Sequence, residues 1–577
     1  MGAVNFGGRT LKIPQAAVDA VSGTGLAVVL GAVNNIVAIG ECTSGAPCSV
    51  GYYCIKSYEE GKRILGSGPL VDGLRNLYYP GGEKRGAATV YAMRANPATQ
   101  STLILKEAGT ANSITLTSVD YGLLTTAIRV KVEDATNGLT EASKLTIHNT
   151  NDDVYEVGDD LGIGCSILYT GAGTAATLTI ANNTLTTTCT GATADNLNID
   201  LTAPAYDTIQ KLVNAINDHA SYTCTLWAYF PTTSRTLASA TLDDKTAIDI
   251  KTAAKYLTAH QAIVVDWVNN HSDYVTAAIH TAQETKLALL AYTYLAGGIE
   301  GVTSTTDYED ALAQVNNTDI QLEWVDSTSA AVWTVVDENC ATYKRIGFTG
   351  DAYGTALATV LTEATVLNSD RIAHCYPGFS TYNDAGVVTE YGSNMMAAKV
   401  CGVAAGLSEM EPLTRKLVGK IIELEYALTE AEQESCIDNG VLAVVKRPGG
   451  TTYRVVQGLS TLQYASQWTT AALTPEISLR RTLDYVLRDQ LLTMDQYLGT
   501  HTGKLGASEL KETLTSFLKT QASLGRLVED YGDDERDPVP AFTVTNMHRV
   551  ADVWYNDETL NLPGPVNFIL SNVQVSS

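Results

Sequence analysis

Pro69-Leu-Val-Asp-Gly-Leu-Arg-Asn-Leu-Tyr78 is the stretch on which the fold turns. Proline suits the first turn of a helix, where its missing N–H would have had no partner. Leu70, Leu74 and Leu77 then fall at i, i+4 and i+7, which gives the helix one apolar face. Pro80-Gly-Gly82 stops it, and Ala88-Thr-Val-Tyr-Ala-Met-Arg94 follows as a strand. Upstream, Ser57-Tyr-Glu-Glu60 is a capping box that opens a shorter helix. Further upstream, Leu26-Ala-Val-Val-Leu-Gly-Ala-Val-Asn-Asn-Ile-Val-Ala-Ile39 is apolar and rich in β-branched residues, and Asn34-Asn35 reads as the turn of a hairpin. Strand, helix, helix, strand is the order of an α/β layer.

Beyond about residue 97 the texture changes. Ser113-Ile-Thr-Leu-Thr117, Ala127-Ile-Arg-Val-Lys-Val132, Lys144-Leu-Thr-Ile-His148 and Ala176-Thr-Leu-Thr-Ile180 alternate with period two, and turn residues separate them. That pattern predicts antiparallel β structure. Residues 97–250 carry 17 acidic and 7 basic side chains, so they read as an inserted, solvent-facing β domain. Helix and strand then alternate again. Ala262-Ile-Val-Val-Asp266 and Lys286-Leu-Ala-Leu-Leu290 are candidate buried elements, and Asp307-Tyr-Glu-Asp-Ala-Leu312 starts a helix. Lys344-Arg-Ile-Gly-Phe348 and Arg371-Ile-Ala-His374 read as parallel strands feeding loops.

The last third has the clearest punctuation. Thr429-x-x-Glu432 is a second capping box, and Asn439-Gly440 ends that helix. Val441-Leu-Ala-Val-Val445 and Thr452-Tyr-Arg-Val-Val456 flank Pro448-Gly-Gly450 as a hairpin. Thr474-Pro-Glu476 opens a long helix whose apolar stripe is Leu479, Leu483, Val486, Leu487, Leu491, Met494 and Leu498. Another helix starts at Ser508. The end, Phe568-Ile-Leu-Ser-Asn-Val-Gln-Val575, reads as a strand after the loop Leu562-Pro-Gly-Pro565. The fold class expected is mixed α/β (α+β) and multidomain. It comprises an N-terminal arm over 1–24, the first part of an α/β core over 25–96, the β-rich insert over 97–250, a middle α/β domain over 251–390 and a C-terminal domain over 391–577.

A net charge of −25 opposes direct contact with nucleic acid, whose phosphates would be repelled. No apolar run approaches the ~18 residues of a membrane span, so no membrane insertion is expected, and no signal peptide is visible. The ten cysteines include no CxxC pair and read as buried free thiols. No metal site and no cofactor are expected, because there is no HExxH and no Walker A loop. Gly171-Ala-Gly-Thr-Ala-Ala176 has a dinucleotide-like rhythm but leads into a strand, not a helix. His374-Cys375 is the one adjacent His/Cys pair and reads as packing. The acidic runs Gly158-Asp-Asp160 and Asp530–Asp537 read as solvated loops.

In order along the chain, the segments resemble the tail sheath family of contractile phages, pyocins and related injection systems. Gly68-Pro-Leu-Val-Asp-Gly-Leu-Arg75 with Ala87–Arg94 looks like the family's early helix and strand. Leu295-Ala-Gly-Gly-Ile-Glu-Gly301 with Asp307–Leu312 looks like its mid-chain glycine turn and helix, and Ala397–Gly406 with Leu413-Thr-Arg-Lys416 like its small-residue helix. Asn439–Leu442 and Val455–Thr461 are similar to its late hairpin, and Leu483–Val486 through Tyr497-Leu-Gly499 to its penultimate helix. The resemblance implies a structural subunit and not an enzyme. Such a subunit forms hexameric rings that stack helically around a tail tube protein, meets baseplate and tail terminator proteins, and contracts to drive the tube through a cell envelope. It implies a place in the virion tail sheath, and in the host cytoplasm during assembly. Two rivals are a β-rich surface adhesin, which would want a secretion signal, and an α/β enzyme, which would want a convergent polar site.

Within that reading, residues 391–528 balance 14 basic against 14 acidic side chains, which suits a layer facing a partner. Arg480, Arg481 and Arg488 on the long helix are the candidate tube contacts. The two β-prone ends are candidates for strand exchange between subunits: Val28, Val29, Ile36 and Val37 at one, and Phe568, Ile569, Leu570, Val573 and Val575 at the other. An unpaired end strand is an aggregation hazard, and donating it to a neighbour's sheet satisfies its backbone.

Overall fold

The computed structural model describes residues 4–6, 9–11, 34–83, 85–227, 233–463, 475–498, 506–529, 539–550 and 553–564. The chain divides into two units, one made of Met1–Pro97 with Val302–Ser577 and the other of Ala98–Gly301.

The first unit is organised by a nine-stranded sheet. At its centre, Val441–Lys446, Ile372–Tyr376, Ile346–Gly350, Leu322–Val325, Ile36–Gly40 and Val90–Arg94 run parallel, in that spatial order. Antiparallel strands close both edges: Tyr453–Val455 with Leu417–Val418 on one side, and Tyr53–Ile55 on the other. Successive side chains of a strand point to opposite faces. Ile36 and Ala38 therefore pack with the helices Pro69–Tyr78 and Ser393–Gly406. Val37 and Ile39 pack with Thr305–Gln314 and Ala330–Tyr343. Further along that second face, Leu357–Leu367 and Glu430–Asp438 cover Tyr376, Val441 and Ala443. A sheet covered on both faces needs strands that are apolar throughout, which is why Ile36–Gly40 shows no alternation.

The expected hairpin at Asn34-Asn35 is corrected here. Ile36–Gly40 pairs in parallel with Leu322–Val325 on one side and Val90–Arg94 on the other, whereas a hairpin arm would be antiparallel to its neighbour. Asn34 does adopt the left-handed conformation, with φ of 65°. Its side-chain amide, however, donates to the carbonyls of Ala405 and Leu407 at 3.1 and 2.7 Å. The turn-forming residue serves a long-range cap in place of a hairpin. The capping box at Thr429, the parallel strands after Lys344 and Arg371, and the hairpin over 441–455 form as the sequence predicts. At Ser57 only half of the expected box forms: its hydroxyl accepts from Glu60 N–H, and the Glu60 carboxylate accepts from Lys56 N–H instead.

In the second unit, every strand pairing is antiparallel. Four small sheets and the helices Ile209–Asn217 and His260–His271 share one core. The insert thus runs from 98 to 301, which corrects both the expected end at 250 and the separate middle domain over 251–390. The physical reason is long-range pairing. Val275–Ile279 pairs with Asn112–Ser118, and Leu290–Tyr294 pairs with Ile128–Asp134, so residues beyond 250 complete sheets begun near residue 100. The insert's ends are neighbours: Thr99 N–H donates to the Ile299 carbonyl at 3.0 Å. Gly158-Asp-Asp160 lies within the strand Val154–Leu161 and not in a loop. Asp530–Asp537 lies outside the described residues.

The chain end of the first unit adds the helices Ile477–Asp495 and Ala507–Ser523 and the hairpin Phe542–Val550 with Val553–Leu560, around Val486, Leu514, Leu518 and Val544. None of the ten cysteines is in a disulfide, and all but Cys54 are buried. Among the described residues no helix is long and apolar enough to cross a membrane.

The small residues of Ser393–Gly406 have a steric purpose. A Cβ on Gly402 would sit 2.5 Å from the Leu77 carbonyl oxygen and 3.1 Å from that of Asn76, so two helix backbones touch there. Backbone cannot rotate out of the way as a side chain can. Gly402→Ala should therefore lower stability by about 1–3 kcal/mol despite alanine's better helix propensity. Equilibrium urea unfolding of the purified protein measures this, and an unchanged or higher midpoint would contradict the close approach.

Candidate functional site

The arginines of the long helix are where sequence and structure part most clearly. Arg480 and Arg481 are 3% and 6% exposed. Arg480 Nη1 lies 3.1 Å from Asp370 Oδ2, and its Nη2 lies 3.4 Å from Asp484 Oδ1. Asp484 in turn receives both Nη groups of Arg371, at 2.7 and 2.9 Å, a bidentate fork. Arg481 Nη2 donates to Asn34 Oδ1 at 2.8 Å and to the Ala404 carbonyl at 3.1 Å. Arg488 is half-buried, 3.6 Å from Asp319 Oδ1 and stacked over the Tyr485 ring. Arg480 and Arg481 thus offer almost no surface to a tube. They bind the helix to the loop at 369–371 and to Asn34, which precedes the strand Ile36–Gly40. An apolar stripe with interleaved arginines gives the same pattern for an exposed basic face as for a buried ionic one. Only the positions of Asp370, Asp484 and Arg371 decide between them.

Burial alone would push the Asp484 carboxyl up, but Arg371 and Arg480 outweigh it and hold it below the usual carboxylate range. Burial brings the Arg481 guanidinium down to about 10.

The exchange residues divide in two. Ile36 and Val37 are fully buried inside their own sheet, so they are not donated strands. This is a correction, and its cause is that both neighbours of the strand come from the same chain. Val28, Val29, Phe568, Ile569, Leu570, Val573 and Val575 lie outside the described residues. At the N-terminus, Val4–Phe6 pairs with Arg9–Leu11.

A group that sequence reading missed gathers at the carboxyl end of Ile346–Gly350 and beside the middle of its neighbour Ile372–Tyr376. His374 is fully buried in Ile372–Tyr376, opposite its register partner Thr349 in Ile346–Gly350. Its Nδ1 lies 3.0 Å from Thr349 Oγ1 and its Nε2 lies 2.9 Å from Asp351 Oδ2. The Trp333 ring meets the imidazole edge-on at 4.9 Å between centroids. Glu363, from the helix Leu357–Leu367, completes the group. Burial and the adjacent Asp351 carboxyl push Glu363 up to about 7. The three residues are 11 to 23 positions apart, with no motif spacing to betray them. The usable signal was Asp351, directly after the strand Ile346–Gly350, where α/β sheets gather polar groups; His374 lies inside its own strand and gave none.

No family profile matches the chain. Among curated proteins, the tail sheath protein of Bacillus phage SP01 is 28% identical over 557 residues, covering 92% of this chain and 91% of that one. A putative tail sheath protein of Enterococcus phage phiEF24C is 25% identical over 525 residues, covering 87% of each chain. Among solved structures, a sheath tail protein from Desulfitobacterium hafniense matches with a TM-score of 0.51 at 13% identity, covering 89% of this chain and 90% of that one. One from Listeria innocua matches with the same TM-score and identity, covering 92% and 96%. The two structures share the fold.

Asp484→Asn should cost about 3–5 kcal/mol, because it leaves two buried guanidiniums short of a counter-charge. A carboxyl held below its ordinary range contributes stability at neutral pH that is lost as pH falls through about 4 and below. The variant's stability should therefore fall less steeply than that of the native chain between about pH 5 and 3. Denaturant midpoints across that range test both statements, and parallel slopes would show that Asp484 is not linked to acid unfolding.

Proposed function

We propose that this protein is the structural subunit of a contractile tail sheath, and that it works by assembly and not by catalysis. The observation that carries this reading is the likeness to a phage tail sheath protein along about nine-tenths of both chains. In this reading subunits form hexameric rings, the rings stack helically around a tail tube, and contraction drives the tube through the target cell envelope. The partners are further copies of the chain, the tube protein, and baseplate and tail terminator proteins. The protein is made in the host cytoplasm and ends in the virion tail. No nucleotide enters the scheme. The work of contraction is stored at assembly in a metastable packing and released by a rearrangement of subunit contacts.

Two features of the chain support a division of labour. The insert over 98–301 is acidic, with 21 acidic and 10 basic residues, and it leaves and rejoins the rest of the chain at a single pair of crossings. Like charge of that size favours the solvent side of a polymer over a buried face. The balanced region over 391–528 is the one proposed to face the tube, through side chains other than Arg480 and Arg481. The arms are proposed to link subunits by strand addition, through Val28 and Val29 at one end and Phe568, Ile569, Leu570, Val573 and Val575 at the other. Asn34, clamped by Arg481 and by the carbonyls of Ala405 and Leu407, would be the fixed root from which the N-terminal arm departs.

Electron microscopy of the purified protein tests the central claim: tubes of stacked rings are expected, and monomers under all assembly conditions would overturn it. Removal of residues 566–577 should leave a folded, soluble subunit that no longer polymerises. Full-length tubes from that truncated chain would refute strand donation at the C-terminus. A chain with residues 98–301 replaced by a short Gly/Ser linker should still form rings. If it folds but forms none, the insert is an assembly surface and not a solvent-facing appendage.

A further inference from the structure

Asp351, Glu363 and His374 each offer one ligand atom, and the three atoms lie within 4.8 Å of one another. Thr349 holds His374 Nδ1, so the imidazole is oriented by a neighbour and its Nε2 faces the two carboxyls. Glu363 Oε2 is shielded from solvent, and the group it faces is another carboxyl, that of Asp351. Asp351 is 4% exposed, and its backbone is fixed at 2.7 Å by the Ser393 hydroxyl. Two carboxylates and an imidazole lone pair converging in a shielded space repel one another unless something positive lies among them. A proton satisfies one pair of oxygens; a cation satisfies all three donors.

We propose that Asp351, Glu363 and His374 form a binding site for a divalent first-row transition ion of the zinc type. The donor set decides the class. Magnesium and calcium take oxygen ligands, whereas one imidazole nitrogen with two carboxylate oxygens suits zinc and its neighbours. The contact from Thr349 to the far ring nitrogen is the outer-shell support that metal-bound histidines usually have. Tetrahedral zinc at about 2.0–2.1 Å from each ligand needs donor atoms roughly 3.3 Å apart. Glu363 is half-buried and can swing by that difference, while Asp351 and His374 stay fixed. Bound there, the ion ties the helix Leu357–Leu367 to the end of the strand Ile346–Gly350 and the middle of Ile372–Tyr376. It would brace the second face of the sheet, where that helix supplies Val360 and Ala364 to the core. The proposal stands on these contacts alone and is independent of the sheath reading.

The test uses the full-length subunit, stripped with a chelator and titrated with Zn2+ by calorimetry and by thermal unfolding. One ion per chain is expected, with the melting temperature raised by at least about 2 °C at a hundredfold excess over Kd. Glu363→Gln keeps the shape of a half-buried side chain. It should fold, bind at least about tenfold more weakly and lose the thermal shift. Mg2+ at the same concentration should do nothing. Co2+ in place of Zn2+ should give d–d bands without a thiolate charge-transfer band. Unchanged binding in Glu363→Gln, or a thiolate band, would place the ion on cysteines such as Cys54 and overturn the site. Indifference of the native chain to Zn2+, together with a higher melting temperature for Glu363→Gln, would show that the carboxyls share a proton instead.

Discussion

Ile36, Val37, Ala38 and Ile39 have no exposed surface, because helices cover both faces of the strand they form. Most of the first unit follows from that constraint. A parallel sheet cannot be closed by tight turns, so each strand must be followed by a crossover, and the crossovers become the layers. Pro69–Tyr78 crosses from the first central strand to Val90–Arg94. Ala330–Tyr343 and Leu357–Leu367 link the strands that march the other way across the sheet. The two-sided burial also dictates which residues are small. Gly402 is the point where the backbones of two covering helices meet, and Gly73 faces Trp324 so closely that a Cβ would lie 2.0 Å from its ring.

Charges inside this unit are placed where the sheet gives them partners. Glu323 and Arg345 are both fully buried and lie 2.8 Å apart, on adjacent parallel strands or their flanks. The Arg345 guanidinium also donates to the Val315 carbonyl. Arg371 leads into the next strand and forks onto Asp484 of the long helix. Buried ion pairs contribute little net stability compared with apolar contacts of the same size, but breaking one is costly, so they fix geometry more than they add to it. The long helix is therefore held to the sheet in one register. In the proposed sheath role, such a body would resist internal shear while contacts with neighbouring copies change.

The α/β layer over 34–94, the helix caps, the late hairpin and the long helix were all legible in the sequence. Each is written in a local pattern: Ser57 with Glu60, Thr429 with Glu432, Pro69 before a leucine stripe, and glycine between two β-branched runs. The extent of the insert was not, because Val275–Ile279 and Leu290–Tyr294 find partners more than 150 residues upstream. No window of sequence carries that pairing. The arginines were visible as residues but not as buried ones, since Asp319 and Asp370 come from separate elements and Asp484, on the same helix, is shared with the distant Arg371.

By itself, then, the sequence determined which segments are helices and strands, that the chain has an acidic β-rich insert, and that its segment order resembles that of the tail sheath proteins it is similar to. These are properties of periodicity, capping and composition, which act within a few residues of each other. The tertiary structure alone decided that Ile36–Gly40 is a central parallel strand, that Arg480 and Arg481 turn inward, and that Asp351, Glu363 and His374 meet at one point. Those outcomes depend on which distant strands become neighbours, and that is settled by burying apolar faces across the whole sheet and not by any local preference.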